Sequence, residues 1–237
     1  MGTTCDHDDA NGDWRREGAT DGRAALDEKD TTSMNVFFTA DLHLGHDNIR
    51  RHCRCPFGTV EEMDEAIVAN WNRLVTSKDL VYIVGDFAWR NHSQNLARLK
   101  GKKILIKGNH DKMSQDCLRN FTEVHQLLAR SIDKRLVVMC HYCMAVWPSS
   151  CHGAWHIYGH SHGRIKELPD VPRCDVGVDV WDFSPVPWDA VKRKLEGRKH
   201  KLSGDMTELD ANIAENVQAN REIIRGLTET GGGVNEA

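Results

Sequence analysis

The sequence lacks long hydrophobic runs. In its 237 residues no stretch approaches the ~18 consecutive apolar residues that a membrane-spanning helix requires, so we expect no membrane span. Residues 1–9 are polar and acidic and contain no apolar core of a secretory signal, so we expect no secretion. These two absences predict a cytoplasmic protein without a membrane partner.

The eight cysteines lack the setting of a disulfide framework, because the chain is long and carries no secretory signal. We therefore expect reduced thiols. The pairs Cys53 with Cys55 and Cys140 with Cys143 do not repeat the four-ligand spacing of a zinc knot. Cys140 also ends an apolar run, where cysteine behaves as a small buried hydrophobe. We expect no structural zinc at these pairs.

The sequence has little net charge, −4 overall, and such a mean identifies no partner. The distribution is more informative, with −5 over residues 1–32, +1 over 33–189, +5 over 190–202 and −5 over 203–237. The basic segment contains Lys192, Arg193, Lys194, Arg198, Lys199 and Lys201. It is either a nucleic-acid-binding patch or a solvated basic turn that pairs with the acidic ends, and the sequence leaves both open.

Composition divides the chain into one domain with appendages. Residues 1–32 nearly lack large apolar side chains and are expected to be a disordered acidic tail. Residues 33–202 are the expected domain, which is long enough to bury a core without disulfides. An interrupted apolar stripe predicts an accessory helix over residues 203–229, and the glycine-rich residues 230–237 predict a flexible tail.

Short apolar runs within this domain alternate with helical patterns. Buried strands are predicted at residues 36–40, 80–84, 104–106, 136–139 and 155–158, with a weaker one at 176–178. The clearest helix is predicted at residues 60–75, with a shorter helix at 95–100 and a mixed segment at 117–128. Strands alternating with helices indicate an α/β fold whose sheet is covered on both faces.

Each of the five clear strands is followed by residues of types that can bind metals. These residues are Asp41 and His43, Asp86, Asn109 with His110 and Asp111, His141, and His160 with His162. A single such residue is usually a turn or a helix cap. Because the carboxyl ends of neighbouring strands converge at one edge of a sheet, the joint pattern predicts a metal site there.

This series resembles the calcineurin-like metallophosphoesterase superfamily, whose pattern is D-x-H, G-D, G-N-H-D/E, H and G-H-x-H. The order is complete over roughly residues 35–190, and the opening segment 39–49 is similar to that of a compact bacterial and phage-type subgroup. Cys143 departs from the proline expected after His-Tyr. The resemblance implies a central two-sheet β-sandwich flanked by helices (αββα).

The resemblance also implies a dinuclear metal centre. One ion would be held by Asp41, His43 and His162, the other by Asn109, His141 and His160, and Asp86 would bridge both. Such carboxylate, amide and imidazole donors suit Mn, Fe, Ni or Zn better than Ca, and we favour Mn. A water or hydroxide bridging two divalent metal ions would be the nucleophile.

Further roles follow from the same resemblance. His110 would donate a proton to the leaving oxygen, and Asp111 would hold its other ring nitrogen, so that both are catalytic. Position and residue type, apart from the resemblance, make His46 and Asn48, just beyond the first metal motif, candidates for substrate contact or for packing beside the ligands, and Arg51 a candidate for substrate contact through phosphate. Other candidates are Arg50 and Arg54 for phosphate, and Trp89, Trp147 and Trp155 for stacking on a base, although such arginines are more often solvated and such tryptophans more often belong to the core.

The predicted function is hydrolysis of phosphate esters. We favour a phosphodiesterase acting on a nucleotide-like or small phosphorylated substrate. The ligand pattern equally fits a phosphomonoesterase. Two further alternatives are a non-catalytic scaffold and a nucleic-acid-binding module that uses residues 192–201. The oligomeric state is left open.

Overall fold

A computed structural model describes residues 34–53, 55–199, 215 and 217–222. The expected tails at 1–32 and 230–237 lie outside these residues. Within the expected accessory helix at 203–229, residue 215 and residues 217–222 are helical and the others are not described. Across this part of the chain, none of the helices is both long and apolar enough to cross a membrane.

The chain alternates strands and helices, as expected. The strands are β1 Val36–Thr39, β2 Leu80–Val84, β3 Lys102–Ile106, β4 Glu123–His125, β5 Leu127–Ile132, β6 Arg135–Cys140, β7 Trp155–Tyr158, β8 Arg173–Asp175 and β9 Val186–Pro187. The α-helices are α1 Asp47–His52, α2 Val60–Leu74, α3 His92–Arg98, α4 Gln115–Leu118 and α5 Trp188–Leu195. Two short 3₁₀ segments lie at Ser150–His152 and Val178–Val180.

The strands form two sheets. The first has the order β4-β3-β2-β1-β9, with β1 to β4 parallel and β9 antiparallel to β1. The second has the order β5-β6-β7-β8, in which β6, β7 and β8 are parallel and β5 is antiparallel to β6. The implied two-sheet α/β architecture is confirmed.

Both faces of the first sheet are buried. Alternate side chains of its strands point to opposite faces, so the sheet contributes to two core clusters. Phe38 and Ile104 pack with Val137 and Ile157 of the second sheet and form the core between the sheets. Val81 on the opposite face belongs to the core cluster that contains the buried side of α2. The sheets are therefore stacked as a sandwich with helices outside.

Helix α2 begins and ends where its sequence predicts, within one residue. Thr59 and Glu62 form a capping box that satisfies the amide groups of the first turn. Met63, Ile67 and Trp71 lie on the buried face, as the spacing of three and four residues predicts. The amphipathic pattern was sufficient here because it is local.

Three other local predictions need correction. Residues 176–178 are not a strand. The strand is β8, and Gly177 makes only an isolated bridge to Ala40 while its amide donates to Asp175 Oδ1. Helix α3 begins three residues earlier than expected, after Asn91 in a left-handed conformation. The mixed segment resolves into the single-turn helix α4, capped by Ser114, followed by β4 and the start of β5.

Candidate metal centre

The predicted ligands meet at the carboxyl ends of β1, β2, β3, β6 and β7. Candidate donor atoms of Asp41, His43 and His162 all lie within 4.8 Å of one another. Those of Asp86, His141 and His160 form a second such group within the same 4.8 Å. The structure therefore brings six of the seven predicted ligands into two triads.

Asp86 belongs to the second triad and also lies close to the first. Its Oδ2 is 3.5 Å from His43 Nε2 and 3.3 Å from His141 Nε2. The seventh predicted ligand, Asn109, places its Oδ1 3.1 Å from His141 Nε2 and so joins the second triad. One carboxylate thus contacts an imidazole of each triad, which is the arrangement that a bridging ligand needs.

The residues fit bound cations. His43 Nε2 is buried and has no hydrogen-bond partner in the structure, a costly arrangement for a polar atom that a metal ion would relieve. Burial raises the pKa of Asp41 to about 7 and lowers the pKa of His43 to about 3. A cation bound beside these side chains would offset the cost of keeping the buried carboxylate ionised and would use the imidazole in its neutral form.

Two other pKa shifts come from pairs of opposite charge in the centre. Burial opposes ionisation of Asp86, but the hydrogen bond and charge of His141 outweigh it and lower the pKa to about 2. Burial also opposes protonation of His162, but hydrogen bonds to Asp179 and Cys53 outweigh it and raise the pKa to about 10. The centre therefore favours a carboxylate at Asp86 and positive charge beside Asp179, which a metal ion would supply in place of a proton displaced from His162.

The ligand loops adopt backbone conformations that these residue types rarely use. Five of the seven predicted ligands have positive φ angles: Asp41 57°, His43 46°, Asp86 55°, His160 66° and His162 47°. A left-handed non-glycine residue costs about 1–3 kcal/mol and persists only where surrounding contacts impose it. Such contacts are present, since the amides of Asp41 and His43 donate to the carbonyls of Gly85 and Asp86, at 3.0 Å each.

Two glycines allow the ligands to approach the backbone. At Gly85, with φ +92°, an added Cβ would lie 2.1 Å from His141 Nδ1. At Gly108 it would lie 2.2 Å from Asp86 Oδ1. Both distances are far below a van der Waals contact, so the glycines that precede Asp86 and Asn109 are required by the centre itself.

Hydrogen bonds on the far side of two rings set which nitrogen faces the centre. His141 Nδ1 donates to the Val84 carbonyl at 2.9 Å, which leaves Nε2 toward Asp86. His162 Nδ1 lies 2.5 Å from Asp179 Oδ2, which leaves Nε2 for a metal. Asp179 was missed by the sequence analysis, because it lies in a 3₁₀ segment 17 residues away from His162.

A third group of candidate donors shares His162. Cys53, His162 and Asp179 also lie within 4.8 Å of one another. Cys53 therefore lies beside His162, a predicted metal ligand. The spacing of Cys53 and Cys55 in the sequence gives no sign of this contact. The seven cysteines among the described residues are all free thiols.

Asp111 occupies a different place from the expected one. Its Oδ1 accepts a hydrogen bond from the amide of Phe87 at 2.8 Å, and its Oδ2 accepts from the amides of Asp86 at 2.9 Å and Gly108 at 2.7 Å. The expected contact with the His110 ring is therefore corrected. The turn after β3 folds the carboxylate back onto the backbone that carries Asp86, where it positions the predicted bridging ligand.

Asp175 supports the G-H-S-H loop in a similar way. Its Oδ2 accepts from the Ser161 hydroxyl at 2.5 Å and from the Gly163 amide at 3.2 Å. Oδ1 accepts from Gly177 at 2.9 Å. Asp175 is buried on strand β8, which the sequence analysis placed three residues too late, so this support was also missed.

His110 and His46 lie beside the first triad. The His110 amide donates to Asp86 Oδ1 at 2.9 Å, and the His110 ring is 5.4 Å from the His43 ring. The His46 ring is 5.3 Å from that of His43. Asn48 and Arg51 are exposed on α1, and their contact with substrate stays a prediction.

The other candidates for contact with phosphate or a base differ in how exposed their side chains are and in what they already bind. Arg50 is held by Asp47 and by the carbonyls of Phe57 and Gly58, so its guanidinium is already engaged. Trp147 and Trp155 are buried, whereas Trp89 is 52% exposed. Arg54 lies outside the described residues.

The basic segment is not a turn, since its first half is helix α5. Lys192 pairs with Asp133 and Asp189, and Lys194 pairs with Glu167, so these lysines pair with acids of the domain itself. The sequence analysis also offered pairing of this segment with the acidic ends of the chain, but the residues that this would involve lie outside the described residues. Lys201 lies outside them as well.

Comparisons with known proteins give the following matches. A family model described as calcineurin-like phosphoesterase matches residues 34–209. The chain is 30% identical over 174 residues to the uncharacterized protein MJ1445 of Methanocaldococcus jannaschii, which covers 69% of this chain and 93% of that protein. It is 26% identical over 196 residues to the gene 66 protein of Mycobacterium phage D29, covering 68% and 96%.

Solved structures with a similar fold include one that covers most of this chain. The protein of unknown function AQ665 from Aquifex aeolicus superposes with a TM-score of 0.55 at 20% identity, covering 68% of this chain and 99% of that one. At this identity the likeness concerns the fold alone.

Proposed function

Since the chain belongs to the calcineurin-like phosphoesterase family, whose members hydrolyse phosphate esters at a dinuclear divalent-metal centre, we propose that it is a phosphodiesterase for a nucleotide-like or other small phosphorylated substrate. Asp41, His43 and His162 would hold one ion, and Asn109, His141 and His160 the other, with Asp86 shared. The donor types suit Mn, Fe, Ni or Zn, and we propose Mn. A cytoplasmic location stays a prediction.

The observation that carries this proposal is that Asp86, a member of the second triad, lies within 3.5 Å of an imidazole nitrogen of each triad. A shared carboxylate of this kind keeps two ions close together. When bound, two such ions activate a water molecule and stabilise the charge that develops on phosphorus. The protein side chains supply the other roles, beginning with the proton donor.

His110 is the proposed proton donor to the leaving oxygen. Its backbone is tied to the bridging carboxylate by the hydrogen bond to Asp86, so its ring is kept next to the first triad. Asp111 positions the same loop through the amides of Asp86 and Gly108. General acid catalysis of this kind contributes about 10²–10⁴-fold to a rate.

The surroundings of the triads support a diester over a monoester. The rings packed against the ligands belong to His46, His110 and Tyr142. A monoester dianion is best held by arginine, and the guanidinium of Arg50 is already bound by Asp47 and two carbonyls. A diester carries less charge and an additional organic group, which rings accommodate better.

The test uses chelator-treated protein reloaded with Mn, Fe, Ni or Zn in separate samples. Turnover of bis-p-nitrophenyl phosphate is compared with that of p-nitrophenyl phosphate, and we expect a higher kcat/KM for the diester. Asp86→Asn should abolish turnover, whereas the exposed matched control Asp189→Asn should not. Turnover of the monoester alone would assign a monoesterase. A folded sample inactive with every metal would assign a non-catalytic scaffold.

The nucleic-acid alternative has its own test. Binding of an oligonucleotide that weakens steeply with salt and is reduced in Lys199→Ala would favour it. The pairing of Lys192 and Lys194 with acids of the domain argues against it, because those charges are already partly neutralised.

A further inference from the structure

An exposed tryptophan lies at the edge of the centre. Trp89 comes three residues after the bridging Asp86 and is 52% exposed. Its indole lies flat against the imidazole of His46, with ring centroids 4.2 Å apart and planes inclined by 8°. About half of the Trp89 side chain is open to solvent and can meet a ligand.

The stacked rings of Trp89 and His46 lie close to His110, the proposed proton donor. The Trp89 and His46 rings lie 5.5 Å and 5.9 Å from the ring of His110. His46 also lies 5.3 Å from the ring of His43, a ligand of the first triad. We call His46 and Trp89 the stacking surface. The stacking surface borders the part of the centre near His110, where the leaving group would be protonated.

The backbone holds this surface in place. The Trp89 amide donates to the Leu44 carbonyl at 2.9 Å, and the Leu44 amide donates to the Phe87 carbonyl at 3.3 Å. Leu44 and Phe87 are buried in the core cluster beside α2. The loops that carry His46 and Trp89 are therefore joined to each other and to the core, so that a ligand would meet a preorganised surface.

The second triad has an exposed ring of its own. Tyr142 is 47% exposed and packs edge-on against His141 and His160, with centroids 5.2 Å and 4.8 Å away. Its ring contacts two ligands edge-on, whereas the stacking surface presents a flat indole. Tyr142 therefore serves as an internal comparison for the role of Trp89.

We propose that His46 and Trp89 bind a planar base and that the substrates are nucleoside esters of phosphate, an assignment that rests on the proposed function. The phosphate would lie at the metal centre and the base on Trp89. Stacking on an aromatic side chain tolerates every base, because each base has a π face. The surface therefore selects for a nucleoside and leaves the choice of base open.

The experiment measures binding by calorimetry to the metal-loaded full chain. Adenosine 5′-monophosphate and ribose 5-phosphate are compared because they share the phosphate and sugar and differ only in the base. We expect the nucleotide to bind about 5- to 150-fold more tightly, the range of one base–aromatic stack. Trp89→Ala should remove most of this difference without changing the binding of ribose 5-phosphate, and Trp89→Phe should retain much of it.

Tyr142→Ala is the matched control, since it removes another exposed ring at the same centre and should leave the ratio of the two affinities unchanged. Metal content of Trp89→Ala should equal that of the wild type. Equal binding of both ligands by the wild type, or an unchanged ratio in Trp89→Ala, would overturn the stacking surface. Hydrolysis of bis-p-nitrophenyl phosphate would then still support the proposed function, whereas its absence with every metal would refute both.

Discussion

Replacing Asp179 by asparagine tests how the first triad holds its metal ion. Asp179 Oδ2 lies 2.5 Å from His162 Nδ1, and the two side chains are only 15% and 9% exposed. The carboxylate thereby orients the ring so that Nε2 faces Asp41 and His43. Asparagine has nearly the same shape and keeps an oxygen acceptor, but it loses the charge.

The size of the effect follows from this contact. A hydrogen bond to a charged group is worth about 1.5–3 kcal/mol and a neutral one about 0.5–1.5 kcal/mol. The difference, roughly 1–1.5 kcal/mol, corresponds to an affinity for one metal ion reduced about 5- to 15-fold in Asp179→Asn. Asp179→Ala also loses the acceptor, and it should reduce that affinity about 10- to 100-fold, the range known for such supporting carboxylates.

The assay is calorimetric titration of Mn²⁺ into chelator-treated protein. We expect two binding events in the wild type and a weaker affinity in only one of them in the variant, because His141 is oriented by the Val84 carbonyl and does not contact Asp179. Excess metal should restore turnover. Asp189→Asn, a change of the same kind at a side chain that is 66% exposed, is the control. Affinities of both events within twofold of the wild type in Asp179→Asn would refute the reasoning.

Three further predictions concern the centre and the core. Asp86→Ala should weaken both binding events in the same titration and abolish turnover, and near-normal turnover would exclude a bridging role. His110→Ala should keep its metal but turn over more slowly, most of all with poor leaving groups; metal loss measured by elemental analysis would instead make His110 a ligand. Burial lowers the pKa of His156 to about 4, whereas the unfolded chain titrates near the ordinary value of 6.5. Between these two pH values the unfolded state binds a proton that the folded state does not. The contribution of His156 to the free energy of unfolding is therefore fully present above pH 6.5 and falls by at most about 3 kcal/mol as the pH drops toward 4. Urea unfolding at pH 7 and pH 5 should show a smaller loss in His156→Gln than in the wild type, and equal losses would contradict this origin.

Local patterns were sufficient for the strands and for the candidate ligands. Each of the five clear strands is a short apolar run, and each predicted ligand follows one of them within a few residues. The spacing of three and four residues in α2 was equally informative. A pattern of this kind depends on neighbours in the sequence, so one chain is enough to detect it.

Short elements were missed because their stability comes from their neighbours. Strands β8 and β9 contain three and two residues and exist through pairing with β7 and β1. Helix α5 carries the basic segment, whose charges obscured the buried Trp188, Val191 and Leu195. Nothing local distinguishes β8 and β9 from loops, whereas the spacing of the buried residues in α5 was a helical signal that the sequence analysis passed over.

The sequence by itself determined which side chains can bind metals and which strand ends they follow, because both depend on residue type and on nearby periodicity. Only the tertiary structure decided what holds them in place. The contact of Asp179 with His162, the turning of Asp111 onto the Asp86 backbone and the stacking of Trp89 on His46 join loops from different strands. Such contacts depend on how the sheets pack, which no spacing along the chain records.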